Sequence, residues 1–383
     1  MNFYSKKVNM KINKIEDIYT GVLRPRHIRF NAHAKKVASN LGLEFISEHP
    51  TIFDRIQTNI KTNVFGYRQY NKKITNNSIA IVHHALPNIA SNYLLEIDLP
   101  LALNNYKIQN HRRSWKIVKD KLEAKDCKGV LVFSEWAKRN LILHYGSKVG
   151  NKAHVLYPLS SLEKNSTNSS IKNIDFIFIS TQFLMKGGYQ VLNAFKKLQK
   201  SGFYDAKLLI VTKLEEVRNI SQEFKENKSI KWIEANLNES QVINLLKKTK
   251  CLLHPTLSDS FGVVVLEAMS QGCSIITTNI ASFPELVSDE NGFLINPPIS
   301  TSTFDTYITE FGDAKYYNRY LETLNLDNFT EDIFQNMKAL MSDQILSKHL
   351  MQGSIKKFSQ KFSKNIWSDK FKEILNKIEL TNV

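Results

Sequence analysis

Residues 250–279 read KCLLHPTLSDSFGVVVLEAMSQGCSIITTN, and the rest of the chain can be organised around them. A short continuous apolar segment, CLLHPT, passes through a polar loop, LSDS, into an apolar helix that starts near Phe261 and stops at Gly272, a residue suited to a C-terminal cap. A second apolar strand, CSIITTN, follows. Two apolar strands joined by a helix predict a parallel crossover covered on both faces. Val263, Val264 and Val265 are indifferent helix formers, so packing must hold this helix. Its N-terminus falls beyond the carboxyl end of the first strand, where parallel sheets bind ligands, and it offers free backbone N–H groups and the positive end of a helix dipole. Such a terminus suits an anion, a phosphate in particular, and Gly262 lets the backbone approach it. Asp259 stands at the mouth, and Glu267 lies about a turn and a half inside, leaning back toward the N-terminus. The two acids could hold hydroxyl groups on either flank of a diphosphate; equally, Asp259 could be a plain N-cap and Glu267 an exposed helix residue.

The same alternation extends in both directions. IDFIFIS (174–180), AKLLIVT (206–212), SIKWIE (229–234) and NGFLIN (291–296) are further apolar strands. YQVLNAFKKLQK places Val191, Leu192, Phe195 and Leu198 at helical spacing, and LEEVRNISQEFKEN (214–227) and ESQVINLLKKT (239–249) are predicted helices. The first half is similar but less regular, with EDIYTGV, LEFISE, SIAIVHHA, GVLVFS and AHVLYP as strands and RHIRFNAHAKKVASNLG as a helix ending at Gly42. SSLEKNSTNSSIK (160–172) is Ser/Asn-rich and aperiodic, the composition of a linker. After residue 303 the pattern is helical to the end. The expectation is an α/β chain of two Rossmann-like doubly wound domains, residues 1–165 and 166–383, that face each other across a ligand cleft.

Bulk properties narrow the function. No run approaches the roughly 18 apolar residues of a spanning helix, and MNFYSKKVNM lacks the apolar core of a signal peptide, so a cytoplasmic location is expected. Cys127, Cys251 and Cys273 are widely spaced and contain no CxxC, which suggests small buried side chains instead of a disulfide or zinc framework. The net charge of +16 is uneven: residues 1–165 hold 27 Lys and Arg against 12 Asp and Glu. This surplus points to an anionic partner for the first half, namely a membrane surface, a phosphorylated acceptor or a nucleic acid. The interleaved aromatic and basic pattern of common nucleic-acid modules is absent, so a nucleic-acid partner is not expected. An anionic inner membrane face carrying a lipid-linked acceptor is the expected partner, with peripheral attachment.

HPTLSDSFGVVVLEAMSQGCSIITTNIASFPELVSDENGFLINP (254–297) resembles, over more than forty residues, the motif region of the retaining GT-B glycosyltransferases of group 1, family 4 type, which use nucleotide sugars to build bacterial polysaccharides and lipid-linked glycans and carry an E-x7-E motif. The resemblance includes Pro284-Glu285 and Asn291-Gly292, and a second stretch, FISTQFLMKGGYQVLNAF (178–195), is similar to the same family's lysine-glycine loop. It implies transfer of a sugar from a nucleotide diphosphate sugar to a glycan or lipid-linked acceptor hydroxyl with retention. Glu267 would bind ribose hydroxyls, and Asp259 hydroxyls of the transferred sugar. Amides near Ser260, Phe261, Gly262 and Val263 would meet sugar and diphosphate, and backbone near 233–236 the base. Lys186 would stand against the diphosphate, with Gly187 and Gly188 permitting close approach. His83 or His84 would contact the donor sugar. Two departures stand out: the first acid is Asp259 where the family has Glu, and Thr181 replaces the usual arginine. The glycine-rich loop after the first strand is poorly matched, with Gly21 alone beside Arg24, Arg26 and Arg29. No DxD stands in the expected place, so neither a metal nor a cofactor besides the nucleotide diphosphate sugar co-substrate is expected. The competing activities are epimerisation of a nucleotide sugar on the same fold and nucleic-acid binding.

Overall fold

The computed structural model describes residues 12–19, 25–48, 60–70, 77–88, 92–106, 108–160, 171–298 and 320–380. Gly21, Arg24 and most of the expected linker lie outside these residues. The chain divides into two compact units, Met1–Leu159 with Lys364–Val383, and Ser160–Ser363.

The first unit contains β1 (Lys14–Tyr19), β2 (Glu44–Glu48), β3 (Gln69–Tyr70), β4 (Ser78–His83), β5 (Leu86–Pro87), β6 (Tyr93–Ile97), β7 (Cys127–Val132) and β8 (Ala153–Val155). Six of them form one parallel sheet in the order β2-β1-β4-β6-β7-β8, while β3 and β5 pair separately. β6 was not among the expected strands. Glu96 and Asp98 interrupt the continuous apolar run by which the other buried strands are read, although every residue of β6 is buried. Helices α1 (Pro25–Asn40), α2 (Ile108–Glu123) and α3 (Glu135–Tyr145) belong to this unit, and Ser134 caps α3 by accepting from the Ala137 amide at 3.0 Å.

The second unit contains β9 (Ile174–Ile179), β10 (Leu208–Thr212), β11 (Ile230–Glu234), β12 (Thr249–His254), β13 (Ser274–Thr278) and β14 (Gly292–Ile295) in one parallel sheet ordered β11-β10-β9-β12-β13-β14. This is the doubly wound 3-2-1-4-5-6 order. Its helices are α4 (Gly188–Lys200), α5 (Glu239–Lys247), α6 (Val263–Ser270), α7 (Asp327–Ser342) and α8 (Gln344–Lys361). The expected helix over 214–227 is two separate turns, Leu214–Val217 and Gln222–Lys225, because Ser221 is extended (φ −53°, ψ 139°) and breaks the helical path. Three valines of α6 sit where foreseen, and Val265, Leu266, Ala268 and Met269 are buried. No helix among the described residues is long and apolar enough to cross a membrane.

The last helix, α9 (Lys364–Leu380), corrects the expected boundary of 166–383, since it belongs to the first unit. Trp367, Phe371, Ile374, Leu375 and Ile378 join Phe30, Ala34, Val37 and Ala38 of α1 in one buried cluster. Trp367 stacks on Phe371 at 5.0 Å and meets Phe30 edge-on at 5.5 Å. The apolar spacing predicted the helix, but periodicity carries no information about which sheet covers it. Phe371→Ala should cost about 3–5 kcal/mol of first-unit stability, read as a lowered denaturant midpoint.

Candidate active site

In the second sheet the strand order reverses between β9 and β12, which are direct neighbours. Ligands of doubly wound sheets bind beyond the carboxyl ends of the strands at this point. The loop after β9 leads into α4 and the loop after β12 into α6, so two helix N-termini are brought to one edge. Both start on a glycine in the left-handed conformation, Gly187 (φ 77°) and Gly262 (φ 76°), and neither start has a side-chain cap. The first-turn amides therefore have no capping side chain.

Glycine is required for space as well as angle. A Cβ on Gly187 would stand 2.3 Å from the Pro255 carbonyl oxygen, and one on Gly262 would stand 2.4 Å from the Phe283 ring. The two loops are laced together: the Leu257 amide donates to the Met185 carbonyl at 2.9 Å, and Lys186 Nζ donates to the Ser258 carbonyl at 2.5 Å. Lys186 Nζ also donates to Asp259 Oδ2 at 2.7 Å, with the two side chains only 12% and 16% exposed.

Asp259 is the hub. His254 Nε2 lies 3.2 Å from the same Oδ2, and Oδ1 accepts from the Ser260 and Phe261 amides at 2.8 and 3.2 Å. Burial alone would raise the Asp259 carboxyl, but the Lys186 ammonium and His254 outweigh it and hold the group well below the usual carboxylate range. Burial lowers the His254 pKa, against the pull of Asp259, so a neutral ring donates from Nε2. Its Nδ1 is then a buried acceptor with no partner among the described residues.

The structure thus brings Lys186, Gly187, Asp259, Ser260, Phe261, Gly262 and Val263 to one place. The alternative of Asp259 as an N-cap does not hold, because Gly262 occupies that position and Asp259 closes the preceding loop. Phe261 is buried and its carbonyl accepts from Ser282 Oγ at 2.9 Å. Glu267 is half-buried on α6, and Thr181 is exposed in the β9–α4 loop. His254, not singled out from the sequence, is the added member, and its place at the end of an apolar strand five residues before the acid was the available signal. A hollow of about 790 Å3 lined by Met185, Gln190, Glu216, Glu322 and Asp327 has no Lys or Arg among the described residues of its wall, and these residues suit an anion poorly. Among the described residues no group of His, Cys, Asp or Glu gathers to hold a metal.

His83 and His84 belong to the first unit and are held differently from expectation. His83, at the end of β4, has Nδ1 at 2.5 Å from Glu96 Oε2 and Nε2 at 2.8 Å from Asp17 Oδ1, joining β4 to β6 and β1. Both ring nitrogens are engaged, which leaves neither to face a sugar. His84 takes up a left-handed backbone (φ 54°), and its Nε2 is 3.6 Å from Asp98, which accepts from the Leu99 amide and the Tyr106 hydroxyl.

Residues 161–322 match the family model described as Glycosyl transferases group 1. A capsular polysaccharide biosynthesis glycosyltransferase, CapM of Staphylococcus aureus, is 22% identical over 258 residues, covering 64% of this chain and 58% of that relative. Among solved structures, WaaG, a glycosyltransferase involved in lipopolysaccharide biosynthesis, matches with a TM-score of 0.62 at 13% identity over 94% of this chain and 99% of its own. Anabaena Alr3699/HepE, solved with UDP and glucose, matches with a TM-score of 0.61 at 12% identity over 95% and 99%. The chain spans 56% of S. aureus TarM, with a TM-score of 0.53 at 11% identity over 79% of this chain. The architecture is GT-B. Within its second unit the chain is similar to the group 1 glycosyltransferases.

The buried His83 gives a pH signature. Burial alone would lower its pKa, but Glu96 and Asp17 raise it from 6.5 to about 9. A raised folded-state pKa stabilises fully below about 6.5 and is lost as pH rises through about 9. Unfolding midpoints between pH 6 and 10 should fall across that window, and His83→Gln should flatten the slope.

Proposed function

We propose that the protein transfers a sugar from a nucleotide diphosphate sugar to an acceptor hydroxyl in the synthesis of a surface polysaccharide or lipopolysaccharide, with retention and without a metal. The observation that carries this reading is the pair of uncapped helix N-termini flanking Lys186 at the point where the strand order reverses. The chemical demand of the reaction is charge growing on the departing diphosphate. Preorganised amides and an ammonium meet that demand without reorganising. Glu267 on α6 would take the ribose hydroxyls and Asp259 a hydroxyl of the sugar. HepE was solved with UDP and glucose and TarM with UDP, which favours a nucleotide sugar as donor.

Glu267→Ala, at a half-buried position of a helix held by other residues, should keep the fold and weaken nucleoside diphosphate binding by at least about tenfold, from the loss of a charged hydrogen-bonding pair. A thermal-shift panel of nucleotide sugars reads wild type and variant alike, since a ligand of the folded state raises its melting temperature. Unchanged affinity would remove Glu267 from the site. Consumption of a donor without an acceptor or release of nucleoside diphosphate would instead favour the epimerase.

We further propose that the basic first unit docks on an anionic membrane face to meet a lipid-linked acceptor. On α2, Arg112, Arg113 and Lys116 are exposed around Trp115 (37%) and Ile117 (48%), and the Trp115 indole donates to the His144 carbonyl near exposed Leu143. Cations interleaved with exposed apolar side chains suit an anionic interface. The protein should float with anionic vesicles and not with zwitterionic ones at low salt, and Trp115→Ala with Leu143→Ala should reduce this.

A further inference from the structure

An ionised carboxylate offers about four lone-pair sites, two on each oxygen. In Asp259 all four are taken: Ser260 and Phe261 amides on Oδ1, Lys186 and His254 on Oδ2. As it stands, this acid has no acceptor left for a substrate hydroxyl. Three of its four donors are fixed. Two are backbone amides, and the third is the ring of His254, which ends β12, is buried, packs edge-on to Phe283 at 5.5 Å and holds its carbonyl on Thr277 Oγ1 at 2.8 Å. Only Lys186, at the tip of a flexible side chain in the β9–α4 loop, can leave. It stands beside the uncapped start of α4, where an anion would compete for it.

We propose that the Lys186–Asp259 ion pair is a lock that the donor opens by exchange. The diphosphate draws the Lys186 ammonium away, and the lone pair so released on Asp259 Oδ2 accepts a hydroxyl of the sugar. This rests on the nucleotide-sugar reading above and adds to it a coupling between the two ends of the donor. His254 is the positioning residue, because its Nε2–H keeps Oδ2 aimed while the lysine is away. The short side chain of Asp259 is what draws the carboxylate into its own loop, onto the Ser260 and Phe261 amides. A free sugar does not open the lock, since it brings no anion. A nucleoside diphosphate opens it but leaves a released lone pair unmet, so part of its binding energy is spent on breaking the ion pair.

The test is calorimetric titration of wild type, Asp259→Asn and Lys186→Met with ADP, GDP and UDP and with the corresponding nucleotide hexoses. Asp259→Asn removes the charge that holds Lys186, so it should bind the preferred diphosphate roughly three- to tenfold tighter than wild type. The extra affinity contributed by the attached hexose should shrink toward none. Lys186→Met should lose at least about tenfold in diphosphate affinity. If Asp259→Asn does not fold, as judged by its melting transition, Asp259→Ser is read in the same way. Diphosphate binding no tighter than wild type, or a hexose contribution left intact, overturns the exchange while the nucleotide-sugar reading stands. A folded wild type that binds none of these ligands overturns both.

Discussion

The second unit is organised around one ion pair, Lys186 with Asp259, and around the constraint that makes it possible. The reversal of strand order sets β9 beside β12, so the loops that follow them emerge side by side. They can close to hydrogen-bonding distance only because Gly187 carries no Cβ where the Pro255 carbonyl passes. The positive φ at Gly187 and Gly262 then turns each loop sharply into its helix, so that the uncapped starts of α4 and α6 follow directly on these two loops. A cation and two helix termini in one place would repel each other, and Asp259 is the counter-charge that makes the unliganded arrangement tolerable.

The first unit has the same kind of sheet and uses buried charge for a different end. His83 is clamped between Glu96 and Asp17, so three parallel strands are tied by a charged chain buried in low dielectric. A half-satisfied group there would cost more than the network contributes, which is why both ring nitrogens are engaged. The histidine at the end of β12 contrasts with it: His254 has one carboxylate partner, and its other nitrogen has none among the described residues. One histidine braces a sheet, while the other holds a loop carboxylate at the sheet's edge.

Much of this was legible in the residues. The valine-rich start of α6, the glycines before α4 and α6, and Lys186 and Asp259 eight or fewer positions from a strand end all sit where strand-helix alternation puts them. What the pattern lost was lateral. β6 hid because Glu96 and Asp98 break the continuous apolar run that marks a strand buried on both faces. His83 and His84 looked alike as neighbours at a strand end, yet their carboxylate partners come from β1, β6 and the turn after β6, up to 66 residues away in the chain. The crossover after β10 looked helical by composition and is broken at Ser221 by its local backbone.

The sequence by itself determined the local pattern: continuous apolar strands, helices at a period of 3.6, glycines where a turn needs a positive φ, and hence the doubly wound class and the position of the two glycine-bearing loops. Only the tertiary structure decided pairings. It gave α9 to the first unit through Trp367 and Phe371, filled both nitrogens of His83, and placed His254 and Lys186 on a single oxygen of Asp259. The reason is physical. Local pattern is written into the residues one turn or one strand at a time, whereas a charge finds its partner across the sheet, where strand order and not chain distance sets who is near.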